Sequence, residues 1–130
     1  MEWSDDLSLG NDFLDKEHKG IIQLVNGLLD YRDGTVEPNN KFSRLLSNLR
    51  IEMAQHFVDE ERLMEQNGCP NPELTEHVND HVLMLLTLAE TRFIPKEEIL
   101  NQTIPNLSEK LVSHMAEMDQ AYALYLSPTT

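Results

Sequence analysis

Cysteine occurs once in this chain, at Cys69, so no intrachain disulfide can form. Basic residues are also scarce. Ten lysines and arginines stand against 23 acidic residues, a formal net charge of −13. Such a chain lacks the basic face that nucleic acid requires, and it is repelled by an anionic membrane surface. Neither nucleic acid nor a membrane is expected as a partner. The longest apolar run, Val82 to Leu86, is far shorter than the roughly 20 residues that span a bilayer. The opening Met1-Glu2-Trp3-Ser4-Asp5-Asp6 is acidic and has no basic segment followed by an apolar one, so it does not read as a secretion signal. A reducing, cytoplasmic setting is the expectation. Aromatic residues make up only 6% of the chain, while leucine and methionine are plentiful, a composition that leans helical.

What is present suits one compact domain over residues 1–130, with 40% hydrophobic residues to build its core. Residues 1–11 read as an extended arm ending in the turn signal Gly10-Asn11, and Asp12 or Asp15 is the expected cap of a first helix. Ile21, Ile22, Val25, Leu28 and Leu29 then recur at helical spacing. Asp33-Gly34 breaks that pattern, and Pro38-Asn39-Asn40 opens a second helix. Phe42, Leu45, Leu46, Leu49, Met53, Phe57 and Met64 carry it to about Gln66. After the breakers Asn67 to Pro72, Asn71 fits an N-cap with Pro72 at the first helical position. The third helix runs through Leu74, Val78, His81, Leu85 and Leu88 to about Arg92. Pro95 and Pro105 leave two readings for the next stretch: a short helix before the fourth, or one long helix bent at Pro105. From Leu107 onward Leu111, Met115, Met118, Tyr122 and Tyr125 define the fourth helix, which Ser127-Pro128 ends. The fold class predicted is all-α, an antiparallel up-down-up-down four-helix bundle with an extended N-terminal arm.

The five histidines all fall in one pattern with two carboxylates: His18, His56-x-x-x-Glu60, His77-x-x-x-His81 and His114-x-x-x-x-Asp119. Imidazole and carboxylate bind iron, zinc and manganese. Residues four apart on a helix share a face, so each of the two closer pairs points one way. Seven ligands from four segments are too many for one metal and suit two. Two octahedral metals offer about twelve positions. Five imidazoles, two bridging carboxylates and one bridging oxygen leave one position open for a small molecule. The spacing of His114 and Asp119 is less simple. At about 100° per residue the two differ by about 140° around a regular helix. They either flank the site or sit on a locally widened turn.

These motifs resemble those of the hemerythrin family, the non-haem di-iron oxygen binders, and the likeness runs from Trp3 to Tyr122. Leu14-Asp15-Lys16-Glu17-His18-Lys19 is similar to the family's first-helix signature, and His56 to Met64 to its second-helix motif. The resemblance implies two iron ions with a bridging oxo or hydroxo group. His77, His81 and His114 would hold one iron, His18 and His56 the other, with Glu60 and Asp119 bridging. It further implies that dioxygen binds at the open position on the two-histidine iron. Ile21, Phe57, Leu111 and Trp3 are the candidates for an apolar oxygen pocket. Cys69 stands where the family often has an aromatic residue, and a redox-sensing thiol is its minor reading.

Reversible oxygen binding for storage, delivery or sensing is therefore the expected function, without enzymatic turnover. Two alternatives compete with it: an oxygen or iron sensor acting through a separate, unidentified protein partner, and a di-iron oxidase or peroxidase. Oxidases of the ferritin-like class use Glu-x-x-His motifs, and this chain has none.

Overall fold

The computed structural model describes residues 1–32 and 41–126. The breaks expected at Asp33-Gly34, Pro38-Asn39-Asn40 and Ser127-Pro128 lie outside the described residues. Three regular helices follow the arm: α1 (Asp12–Arg32), α2 (Lys41–Gln66) and α3 (Glu73–Ala89), the last running on into a 3-10 turn at Glu90–Phe93. The fourth, α4, is a composite over residues 96–121. It joins short α-helical segments through two wide π-helical turns, Ile99–Thr103 and His114–Met118, and a final turn, Ala123–Leu126, follows. α1 packs on α2, α2 on α3, and α4 returns against α1 and α3, giving the expected antiparallel bundle. Among the described residues no helix is long and apolar enough to cross a membrane.

Local chemistry corrects three details of the expected boundaries. The arm is not wholly extended, because Asp5–Leu7 forms a 3-10 turn. Asn11, rather than Asp12 or Asp15, caps α1, and its Oδ1 accepts the Leu14 N–H at 3.1 Å. Asp15 is drawn the other way, taking the Ser8 hydroxyl at 2.5 Å and the Leu9 N–H at 2.9 Å, which pins the arm to α1. Pro72 lies just before α3 rather than at its first position, and Asn71 accepts from the Thr75 hydroxyl at 2.8 Å instead of capping the backbone.

The two readings of the Pro95–Pro105 stretch resolve into one helical run from Lys96, opened ahead of Pro105. Proline has no N–H, and its ring clashes with the carbonyl four residues back. A π-turn spreads the backbone there: the Ile104 N–H donates to the Ile99 carbonyl, five residues back. The end of α2 follows a different rule. Gly68 adopts φ 80°, and the Cys69 N–H reaches the Met64 carbonyl at 2.9 Å, the glycine-terminated helix ending that only a residue without Cβ adopts cheaply.

Apolar residues pack in two clusters. The larger unites Ile21, Val25 and Leu28 of α1 with Leu49, Met53 and Phe57 of α2, Met84 and Leu88 of α3, and the α4 residues Ile104, Leu107 and Leu111. The smaller gathers Leu9, Leu14, Met64, Cys69 and Leu126 at the other end of the bundle. Side-chain amides tie that end together: Asn11 Nδ2 donates to the Leu126 carbonyl, Asn67 Nδ2 to that of Tyr125 and Gln120 Nε2 to that of Ser8. Along the helices the histidines and their companion carboxylates lie where the two clusters meet: 18 between 14 and 21, 56 and 60 between 53 and 64, 77 and 81 between 74 and 84, 114 and 119 between 111 and 126, with Phe57 and Met115 of the larger cluster interleaved among them. Apolar packing above and below thus holds a polar layer across the middle.

Candidate metal centre

All seven side chains singled out by the histidine pattern reach this layer, and none is more than 3% exposed. Their donor atoms fall into two overlapping groups, each with every ligand atom within 4.8 Å of the others. One comprises Glu60, His77, His81, His114 and Asp119; the second comprises His18, His56, Glu60 and Asp119. The two carboxylates belong to both, and their oxygens divide between the groups. Glu60 Oε1 lies 3.1 Å from His77 Nε2 and 3.2 Å from His81 Nε2, while its Oε2 lies 3.2 Å from His18 Nε2 and 2.5 Å from His56 Nε2. Asp119 Oδ1 lies 3.1 Å from His77 Nε2 and 3.0 Å from His114 Nε2, and its Oδ2 lies 3.3 Å from His18 Nε2.

The wide turn His114–Met118 explains how Asp119 arrives. Its N–H donates to the His114 carbonyl five residues back, so one extra residue is taken up within the turn and the two side chains share a face. Of the two readings of that spacing, the local widening is the one observed.

Three outer carboxylates orient the rings. Each can only accept a proton, so each fixes Nδ1 as the protonated nitrogen. His56 Nδ1–H donates to Glu17 at 2.8 Å, His81 Nδ1–H to Glu61 at 2.8 Å and His114 Nδ1–H to Asp80 at 2.6 Å. In a neutral imidazole so held, Nε2 is a bare lone pair. His81 Nε2 and His114 Nε2 nevertheless face each other at 3.1 Å. Two lone pairs at that distance repel, so either a metal ion takes both or, without metal, a proton on one Nε2 is shared with the other. The same conclusion follows from His56 Nε2 and both oxygens of Asp119, which are buried yet have no hydrogen-bond partner of proper geometry, although charged neighbours stand within about 3 Å. His18 and His77 do meet Glu60 at hydrogen-bond distance, but a set of donors that leaves both Asp119 oxygens and His56 Nε2 unpartnered at its centre fits a metal ion.

Electrostatics point the same way. Burial opposes charge on His56, but the Glu60 carboxylate, reinforced by Glu17, outweighs it and holds the pKa up to about 10. On His114 burial is likewise overcome, by Asp119 and Glu60, again to about 10. Burial works against the charge on Glu60 as well, yet the surrounding histidines, His56 foremost, keep its carboxyl well below the usual range. Without metal, protons do part of the cation's work.

Phe57 stacks on the His81 ring at 3.9 Å with the planes 6° apart, and it is buried in one cluster with Ile21 and Leu111. Trp3 is partly buried against that cluster, with the Lys19 ammonium 4.9 Å from its ring centre. Glu17, Glu61 and Asp80 were not singled out in the sequence. The signal was their position, for each directly precedes or follows one of the seven in the chain. Cys69 is buried in the smaller cluster, where burial and the Glu73 charge raise its thiol pKa, an environment that disfavours a reactive thiolate.

The bundle and its buried histidine–carboxylate layer define a metal-binding helical protein. The family model described as the hemerythrin HHE cation binding domain matches residues 9–126, and the chain belongs to the hemerythrin family. Among curated relatives, the bacteriohemerythrin of Stenotrophomonas maltophilia is 30% identical over 123 residues, covering 95% of this chain and 79% of the relative. That of Pseudomonas aeruginosa is 26% identical over 122 residues, covering 94% and 78%.

Proposed function

We propose that this domain, residues 1–130, holds two iron ions joined by an oxo or hydroxo bridge and binds dioxygen reversibly. The ligands are His77, His81 and His114 on one iron, His18 and His56 on the other, and Glu60 and Asp119 across both. One observation carries this reading: each of the two buried carboxylates turns one oxygen toward the three-histidine group and the other toward the two-histidine group. That is the disposition a bridging ligand needs. A ferrous pair would supply two electrons to a small molecule at the open position, which the ligand count assigns to the side of His18 and His56.

The chain's own residues do the rest. Glu17, Glu61 and Asp80 hold three rings with Nε2 turned inward. Ile21, Phe57 and Leu111 keep water away, with Trp3 covering the cluster from outside. A nitrogen-rich donor set with two carboxylates favours binding over oxidation, because few anionic ligands leave high-valent iron poorly stabilised. We therefore assign no enzymatic turnover and take the cytoplasm as the site of action. Metal analysis with absorption spectra tests this. The expected result is two irons per chain and a spectrum that changes when oxygen reaches the reduced protein and reverts on evacuation. A single zinc after expression in iron-replete cells would overturn the di-iron reading. Steady peroxide turnover with a reductant would move the protein to the oxidases and peroxidases, and a protein contact made only on oxygenation, with oxygen affinity raised by that partner, would make it a sensor.

A further inference from the structure

Three of the five histidines are backed by a carboxylate, but the three carboxylates are not alike. Glu17 and Glu61 each pair with one histidine. Asp80, among the described residues, is the one also paired to a lysine: its Oδ2 takes the His114 Nδ1 proton at 2.6 Å while its Oδ1 takes a Lys110 proton at 2.9 Å. Lys110 and His114 stand one turn apart on α4 and grip the two oxygens of a single α3 carboxylate. The pair borders a surface depression of about 360 Å³ that Ser113, Glu117 and Tyr122 also line, and Lys110 is 46% exposed.

A carboxylate on Nδ1–H draws that proton toward itself and pushes electron density to Nε2, strengthening the ring as a metal donor. A stronger donor favours the more highly charged metal. A cation on the second carboxylate oxygen draws density back. Of the three-histidine group, His77 has no partner on Nδ1 among the described residues, so this control acts through His81 and His114. Among the described residues, only His114 carries both a push and a counter-pull.

We propose that Asp80 is a positioning residue that makes His114 a stronger donor, that Lys110 restrains it, and that this pair sets how firmly the three-histidine metal is held and how readily it is reduced. The proposal rests on the di-iron reading and adds a tuning device to it.

The test is redox titration and chelator-driven metal release of the iron-loaded protein, comparing wild type with Asp80→Asn and Lys110→Met. Asparagine keeps an oxygen for the His114 proton but removes the charge. Methionine keeps the apolar stem of Lys110 but removes the cation. Asp80→Asn is expected to raise the midpoint potential and to weaken metal binding by roughly 10–100-fold. Lys110→Met is expected to lower the potential and slow release. The opposite signs are decisive, since loss of a merely structural contact would loosen the site in both variants. Shifts of the same sign, or none, overturn the proposal while leaving two irons per chain intact. A wild type without two irons overturns the di-iron reading and the proposal together. Should Asp80→Asn fail to fold, Lys110→Met decides alone: a lower potential supports the pair's role, and a raised or unchanged one overturns it.

Discussion

A single proton decides what His81 and His114 can do for each other. With Nδ1–H given to Glu61 and Asp80, two neutral rings would present lone pairs across 3.1 Å, a clash that a metal ion relieves and that, without metal, the raised pKa of His114 relieves with a proton on its Nε2. The carboxylates differ from the histidines in reach. Glu60 touches both groups, whereas His18 belongs to one. His18→Ala is therefore expected to lower iron content from two toward one, and Glu60→Ala to remove both, as read by metal analysis of the purified variants. Equal loss from the two substitutions would argue against a bridging Glu60. Leu111 is not a ligand but is 1% exposed beside the same layer. Leu111→Ala should cost about 2–5 kcal/mol of stability through the cavity it leaves. Water admitted there should shorten the autoxidation half-life while iron content stays near two. An unchanged half-life would take Leu111 out of the pocket.

Among the elements, α4 is where sequence and structure part most instructively. The helices themselves were legible, because apolar residues at 3.6-residue spacing leave few alternatives for Ile21 to Leu28 or Leu49 to Phe57. On α3 the buried stripe is His77, His81, Met84 and Leu88, so half of it is histidine and apolar periodicity alone reads it off-centre, toward Val78 and Leu85. The seven central residues stood out because no histidine lay outside their pattern. The outer carboxylates did not, since an acidic residue on a helix of a chain this acidic is ordinarily a solvated one. The turn His114–Met118 was legible only as a misfit. Its consequence is testable by changing the residue count at Ala116, which is exposed. Deleting Ala116 leaves His114 and the aspartate four apart, which a regular helix again puts on one face. Inserting an alanine there makes the gap six, about 240° around. Metal content should survive the deletion far better than the insertion, with helicity by circular dichroism similar in both. Comparable metal loss in the two would mean that the wide turn does more than bring Asp119 round.

For the whole molecule, the layer across its middle makes folding and metal binding answer pH in opposite senses. In the metal-free protein His56 and His114 have pKa values raised from 6.5 to about 10. A raised folded-state pKa contributes stability that is fully present below the unfolded value and is lost as pH climbs through the folded one. The depressed carboxyl of Glu60 works the other way, its contribution being lost as pH falls below the ordinary carboxylate range. The apoprotein is therefore expected to be most stable between the two, in mildly acidic solution, and to weaken from about pH 6.5 toward 10. Metal binding has the reverse preference, because each imidazole must give up its Nε2 proton before it can ligate. Raising the pH from 6 to 9 should lower the melting temperature of the apoprotein and widen the gap between it and the metal-loaded form. Thermal melts of both forms across that range check this. A gap that stays constant would mean that protons do not occupy the site when metal is absent, and that the apoprotein relieves its crowded carboxylates by opening the layer to water instead.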